Sequence, residues 1–500
     1  MKMSVKLDLD KVVFDKDNKL HMLASLEAPA VQSCEKRNPL CIVAVLDRSG
    51  SMGSGLGGDH MTKLDYVKRS MYKLIDHMTE EDSLGLVFFD DQIRYADFRK
   101  MTSANKEVMR QEVANVYARG STDIGSAVAK AGSMFASYEG GVKSVERIML
   151  LTDGDANIGA VSPEHFIPIV GGIRNGVSVS CFGYGDRFNE LLMTEISKQG
   201  KGNNYYIENP DSVAKVFAVE LGGLLTCYAQ DIVLTIKTHK GAVVSNVLND
   251  LDVETKQDAD GELVTQIKIG DIYAGEKRDV VVKFDFEKRG QALPRPVTLA
   301  DVSLSYRAMS DAQTKNDSDK AKVRLVKTAS EATQSPDADI ADQVAILEAA
   351  IVMAEAKKMA DQGRWSEAKS FIVKTSGVLR SRGSAKTVNY AGSMDALADS
   401  LDASYTAGNN LSKGMGSFSY ATTSCRAMHS VGNTAGDMMG FCADDNVVMK
   451  SMVDSFTADD AKPVDPVATS GSVPKGKEDD VRIGTSTGNT GHYNKTRNSK

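Results

Sequence analysis

Between about residue 38 and residue 226 the chain alternates two patterns, and that alternation restricts the fold more than any other feature. Short apolar runs occur at CIVAVLD (41–47), SLGLVFF (83–89), VERIMLLTD (145–153) and VSVSCFGYG (177–185). Stretches of helical periodicity separate them: TKLDYVKRSMYKLIDHM (62–78), SAVAKAGSMFASY (126–138) and PEHFIPIVGGIRN (163–175). A strand that is apolar at consecutive positions has to be covered on both faces, and intervening helices supply that cover. The expected architecture is a doubly wound, mostly parallel α/β sheet.

The flanks follow a different rule. Val5, Leu7 and Leu9 alternate with Lys6, Asp8 and Asp10, and residues 20–26 behave similarly. From 230 to about 328 the period of two returns: Ile232, Leu234 and Ile236 on one strand, Val280, Val282, Phe284 and Phe286 on another, and a third at 297–306. Such strands bury one face only. The expectation is one β-sandwich built from both flanks. Residues 1–36 supply its N-terminal strands, 37–227 form the α/β domain, and 228–330 complete the sandwich.

Residues 338–456 read as a helical region. The stretch 341–381 predicts a helix, a turn at Gly363 and a second helix, with Trp365 stapling the pair. It looks like a single tetratricopeptide-type hairpin, and since about three repeats are needed for a solenoid, it is expected to pack on the sandwich. Residues 395–460 are weakly helical, and the Pro-, Gly-, Ser- and Lys-rich segment 457–500 is expected to be disordered.

Net charge is −7 over 500 residues, which argues against a general nucleic-acid binder. No stretch approaches the roughly 18 uninterrupted apolar residues of a membrane helix. The opening MKMSVKLDLDKVVF lacks the apolar core of a signal peptide, and a cytoplasmic location is expected. Six scattered cysteines without a C-x-x-C pair read as reduced thiols.

In doubly wound sheets, ligands bind outside the carboxyl ends of the strands. Asp47, Ser49 and Ser51 stand there after the first strand, in VAVLDRSGSM. Thr122 in GSTDIG and Asp153 in LLTDGD bring oxygens to the same edge from two other connections. Carboxylate and hydroxyl oxygens are hard ligands, suited to magnesium, manganese or calcium rather than zinc or copper. With only two acids in the set, a dication there retains an unsaturated position that a partner's carboxylate could fill.

Rival readings are weaker. Gly53-x-Gly55-x-x-Gly58 formally matches a dinucleotide fingerprint, but that motif needs glycine directly after the strand, where Asp47 would repel phosphate. The seven histidines are scattered, with only His60 near the loop, and no Ser/His/Asp or Cys/His constellation is visible. The pairs Glu80/Glu81 and Asp90/Asp91 read as solvated loop charges.

The pattern Asp47-x-Ser49-x-Ser51, Thr122 and Asp153 resembles the metal-ion-dependent adhesion site (MIDAS) of von Willebrand factor A (VWA) domains. Residues 152–159, 183–225 and 269–282 look like the bacterial VWA group often labelled calcium-activated chloride channel-like, and like the VWA body of plant VWA–RING proteins. The resemblance implies that Ser49, Ser51 and Thr122 bind the metal directly, with Asp47 and Asp153 acting largely through water. Channel activity does not carry over, because no span is visible. Ligase activity does not either, because no Cys/His set has RING spacing. The function expected is a non-enzymatic adaptor that holds a divalent cation, magnesium first with calcium or manganese as alternates, and captures an Asp or Glu of a protein partner. The alternatives are a metal-dependent hydrolase, for which no base or pocket is nominated, and a structural or assembly component in which the metal is secondary.

Overall fold

The computed structural model describes residues 1–30, 37–55, 61–138, 144–154, 156–185, 189–207, 210–291 and 295–406. Expectations for the weakly helical stretch beyond 406, the tail, Gly58, His60, Cys34, Cys425 and Cys442 lie outside the described residues.

In chain order, strands β1 (Lys2–Leu7), β2 (Lys11–Val13) and β3 (Asn18–Glu27) precede the α/β domain. That domain comprises β4 (Leu40–Asp47), a 3-10 turn (Gly50–Gly53), α1 (Lys63–His77), β5 (Ser83–Phe89), β6 (Ile93–Lys100), α2 (Ser103–Ala114), α3 (Ile124–Ala136), β7 (Val145–Thr152), α4 (Pro163–Gly171), β8 (Val177–Tyr184), α5 (Glu190–Gln199), β9 (Lys201–Ile207) and α6 (Pro210–Leu225). Then come β10 (Cys227–Thr238), β11 (Ala242–Val247), β12 (Asp252–Gln257), β13 (Leu263–Ile269), β14 (Ile272–Tyr273), β15 (Lys277–Phe286), β16 (Val297–Ala308) and β17 (Thr314–Val326). Helices α7 (Ala338–Asp361), α8 (Trp365–Arg382) and α9 (Ala385–Thr406) follow.

The central sheet has the order β6-β5-β4-β7-β8-β9, with β4 parallel to both β5 and β7. Every residue of β4 is buried. Successive side chains of a strand point to opposite faces, and β4 divides accordingly. Leu40, Ile42, Ala44 and Leu46 pack under α1, α2 and α6, through residues such as Val67, Met71, Met109 and Phe217. Cys41, Val43 and Val45 pack under α3, α4 and α5, through Ile124, Val128, Phe166 and Ile196. β6, which the sequence reading omitted, is an antiparallel edge strand with no fully buried residue, so its apolar signal is weak.

The flanks form two sheets of a sandwich, β1-β3-β15-β11 and β12-β13-β10-β16-β17-β2, as the alternation implies. Leu20, Met22, Val280, Val282 and Phe284 from one sheet share a core with Ile232, Leu234, Ile236, Val302 and Leu304 from the other. The α/β domain is thus inserted between β3 and β10 of the sandwich. A buried ion cluster joins the two. Arg147 on β7, fully out of solvent, donates to Asp271 Oδ2 at 2.6 Å and Ser180 Oγ at 3.1 Å, with Glu220 Oε1 at 3.5 Å. Asp271 sits between β13 and β14, and Gln230 on β10 donates to the same oxygen at 3.1 Å.

The expected hairpin is a unit of three helices among the described residues. Gly363, with φ of 79°, makes the turn between α7 and α8, and α9 packs along α8 through Tyr390, Ala391 and Met394. Trp365 opens α8 and packs, partly buried, against this cluster. Ile340, Val344 and Leu347 of α7 rest on Leu23, Leu248 and Val281 of the sandwich. Among the described residues, no helix is long and apolar enough to cross a membrane.

Candidate metal centre

The five candidate side chains occupy one rim, at the carboxyl ends of the parallel strands. Asp47 is the last residue of β4, Asp153 follows β7 directly, and Thr122 precedes Asp123, the N-cap of α3. Asp47, Ser49, Thr122 and Asp153 are each no more than 3% exposed, whereas Ser51 is exposed, so the group has a buried floor and one open side.

Their oxygens are close-set. Ser49 Oγ and Ser51 Oγ lie 3.1 Å apart, and Ser51 Oγ donates to Asp153 Oδ1 at 2.7 Å. Thr122 Oγ1 and Asp47 Oδ2 lie 3.5 and 3.7 Å from the position a Cβ on Gly154 would take, so they too border one point. Adjacent oxygens around an octahedral magnesium, with metal–oxygen distances of about 2.1 Å, are about 3 Å apart. The chemistry of the set, and the spacing of its Ser49, Ser51 and Asp153 oxygens, therefore suit a small hard cation. Among the described residues no three His, Cys, Asp or Glu side chains form a metal-holding group, so any cation here depends on the hydroxyls.

Asp47 is held from both sides. Its Oδ1 accepts from Ser49 N at 2.7 Å and its Oδ2 from Thr152 Oγ1 at 2.5 Å, while Gly154 N donates to that Thr152 oxygen at 3.1 Å. Burial pushes the Asp47 carboxyl up to about 6, against the opposing pull of the Thr152 and Ser49 hydrogen bonds. Asp153 meets a cation of the chain itself: Lys63 Nζ at 2.5 Å from Oδ2.

Backbone hydrogen bonds bind the three connections together. Arg119 N donates to Arg48 O at 2.7 Å, and Gly50 N to Gly120 O at 3.1 Å. Asn157 N donates to Thr122 O at 3.1 Å, and the Asn157 amide oxygen accepts from Thr122 N at 2.8 Å. Asp90 corrects the sequence reading. It is not a solvated loop charge: it is fully buried at the tip of β5, accepting from Arg119 Nε at 2.7 Å, Arg48 at 3.2 Å and Gln92 N at 2.7 Å. Burial alone would raise its carboxyl, but these donors outweigh burial and hold it below the usual range. Its place after an apolar run, like those of Asp47 and Asp153, was the available signal. The sequence reading does not find Thr152, Asn157 or Lys63, since each acts on a residue of another connection.

Comparison with known proteins bears on the domain and its fold. Residues 42–219 match the von Willebrand factor type A domain family. The chain is 29% identical over 194 residues to the uncharacterized protein YfbK of Escherichia coli (strain K12), covering 38% of this chain and 32% of that one. It is 25% identical over 299 residues to the uncharacterized protein sll0103 of Synechocystis sp., covering 56% and 64%. The chain thus spans about a third of the first relative's length and just under two thirds of the second's. The solved structure of a von Willebrand factor type A protein from Catenulispora acidiphila superposes with a TM-score of 0.64 at 16% identity, over 80% of this chain and 88% of that one, and shows the shared fold. Residues 42–219 of this chain are thus a VWA domain. Domains of this kind typically mediate protein–protein interaction.

Proposed function

We propose that the chain is an adaptor that uses the rim of its VWA domain to capture an Asp or Glu side chain of a partner protein through a divalent cation, magnesium foremost. The observation that carries this reading is the string of oxygens from Ser49 through Ser51 to Asp153, at 3.1 and 2.7 Å, beside Thr122 and Asp47. When bound, the cation supplies the positive charge that pairs with a partner's carboxylate. The chain's own groups do the rest. Ser49, Ser51 and Thr122 present hydroxyl oxygens, Asp47 and Asp153 supply the negative charge, and Thr152 and Asn157 hold the aspartate and threonine in place. Hydroxyl ligands donate less charge than carboxylates, which leaves the cation attractive to an incoming acid. We place the protein in the cytoplasm.

The deciding experiment is affinity capture from lysate in magnesium against EDTA, with Asp47→Ala alongside and circular dichroism as a folding control. Partner recovery that needs magnesium and Asp47 supports the reading. Identical recovery in all arms rejects it.

A further inference from the structure

The donor set contains a feature that metal capture does not use. Lys63 Nζ stands 2.5 Å from Asp153 Oδ2, with the two side chains 12% and 1% exposed. Asp153 is ion-paired with no other group among the described residues, and its second oxygen accepts from Ser51, itself a member of the set. The lysine ammonium therefore sits on the other oxygen of a carboxylate that belongs to the set, where it neutralises charge a divalent ion would otherwise meet. Lys63 is the first residue of α1, and the start of that helix is fixed independently of the ammonium. Thr62 and Asp65 form a complete capping box, and Lys63 N donates to Ser54 O at 2.9 Å. Only the four-carbon stem has to rotate for the charge to leave. A lysine ammonium is a compact point charge on a flexible stem and suits such a role better than a planar guanidinium.

We propose that Lys63 is a tethered competitor for the cation position: its ammonium neutralises Asp153 until a divalent ion takes that place, and it sets the affinity and exchange rate of the metal. The inference rests on the metal-capture reading above. Its physical basis is charge. A buried carboxylate without a partner is strongly disfavoured, so the lysine stabilises the metal-free protein, and an incoming ion has to displace it.

The test is calorimetric titration of full-length wild type, Lys63→Met, Lys63→Gln and Lys63→Arg with magnesium and manganese, together with thermal unfolding in EDTA. Met and Gln remove the charge by two routes, so one misfolded variant does not end the experiment. We expect both to bind magnesium at least tenfold more tightly than wild type, to melt earlier in EDTA, and to regain that loss in magnesium. Lys63→Arg, which keeps a cation, is expected to bind no more tightly than wild type. If wild type binds metal and the charge-free variants bind equally or more weakly, Lys63 merely positions Asp153 and the proposal falls while metal capture stands. If neither wild type nor any variant binds a divalent ion at millimolar concentration, metal capture itself fails, and the competitor role with it.

Discussion

Thr152 Oγ1 donates to Asp47 Oδ2 at 2.5 Å across two neighbouring parallel strands, with both side chains fully buried. The register that pairs Leu46 with Leu151 brings these two residues level at the strand tips. A threonine outside the five candidate side chains thus fixes the orientation of one of them. Thr152→Val keeps the volume and removes the hydroxyl. We expect a stability loss of about 1–3 kcal/mol in EDTA, because a buried acceptor loses its donor. Magnesium affinity should fall as well. Urea unfolding and calorimetry check both, and unchanged metal affinity would remove Thr152 from the site.

Asp90 links the loop after β4 to the loop before α3 through Arg48 and Arg119. Asp90→Ala should cost about 2–3 kcal/mol, less than a sealed ion pair because Arg119 is 55% exposed, and it should loosen the Thr122 loop. Hydrogen exchange at Gly120–Asp123 is the direct readout. Faster exchange there, with β8 unaffected, is the expected pattern.

Asp82 gives a pH dependence that lies away from the metal group. Burial would raise its carboxyl, but Arg37, which donates to Oδ1 at 2.9 Å and to Oδ2, together with the backbone N–H groups of Leu40 and Thr79, holds it below the usual range. A depressed acid binds its proton less readily in the folded state than in the unfolded chain. Its stabilisation is therefore complete above about pH 4–5 and is lost as pH falls through the folded value. Between about pH 5 and pH 2, the urea midpoint of Asp82→Asn should fall less steeply than that of wild type. Parallel slopes would contradict this account.

Arg147→Met leaves Asp271 buried without its cation and should destabilise by about 3–5 kcal/mol. Adding Asp271→Asn should recover more than half of that. Glu220 keeps donors from Ser180 at 2.6 Å, Asn203 at 2.8 Å and Tyr205 at 2.8 Å. A double-mutant cycle by urea unfolding measures the coupling, and simple additivity would count against a shared cluster.

The legible parts of this chain were those where one physical signal dominates. β4 and β7 are buried on both faces, and their unbroken apolar runs say so. β10 buries alternate residues, and its period of two says that too, whereas β15 is also covered on its outer face at Val281, where α7 rests. That five oxygen-bearing side chains would share one rim was readable because the connections of a wound sheet converge on one edge whatever the loop lengths. β6 escaped because an exposed edge strand is under little apolar pressure. Lys63, Thr152 and Asn157 escaped because their roles depend on which loops touch, a matter of tertiary register. Asp90 was misread because a charge followed by a second charge resembles a solvated loop, whereas its neutralising arginines lie 42 positions before it and 29 after it.

The buried guanidinium of Arg147 also bears on where this protein can be divided. The family match ends at residue 219, one position before Glu220, and Asp271 comes from the sandwich. Excising the segment along that match would strip a sealed cation of both its acids. The VWA domain is thus no portable cassette. The residues that follow it supply its counter-ions, and any transplant into another host has to carry that charge along.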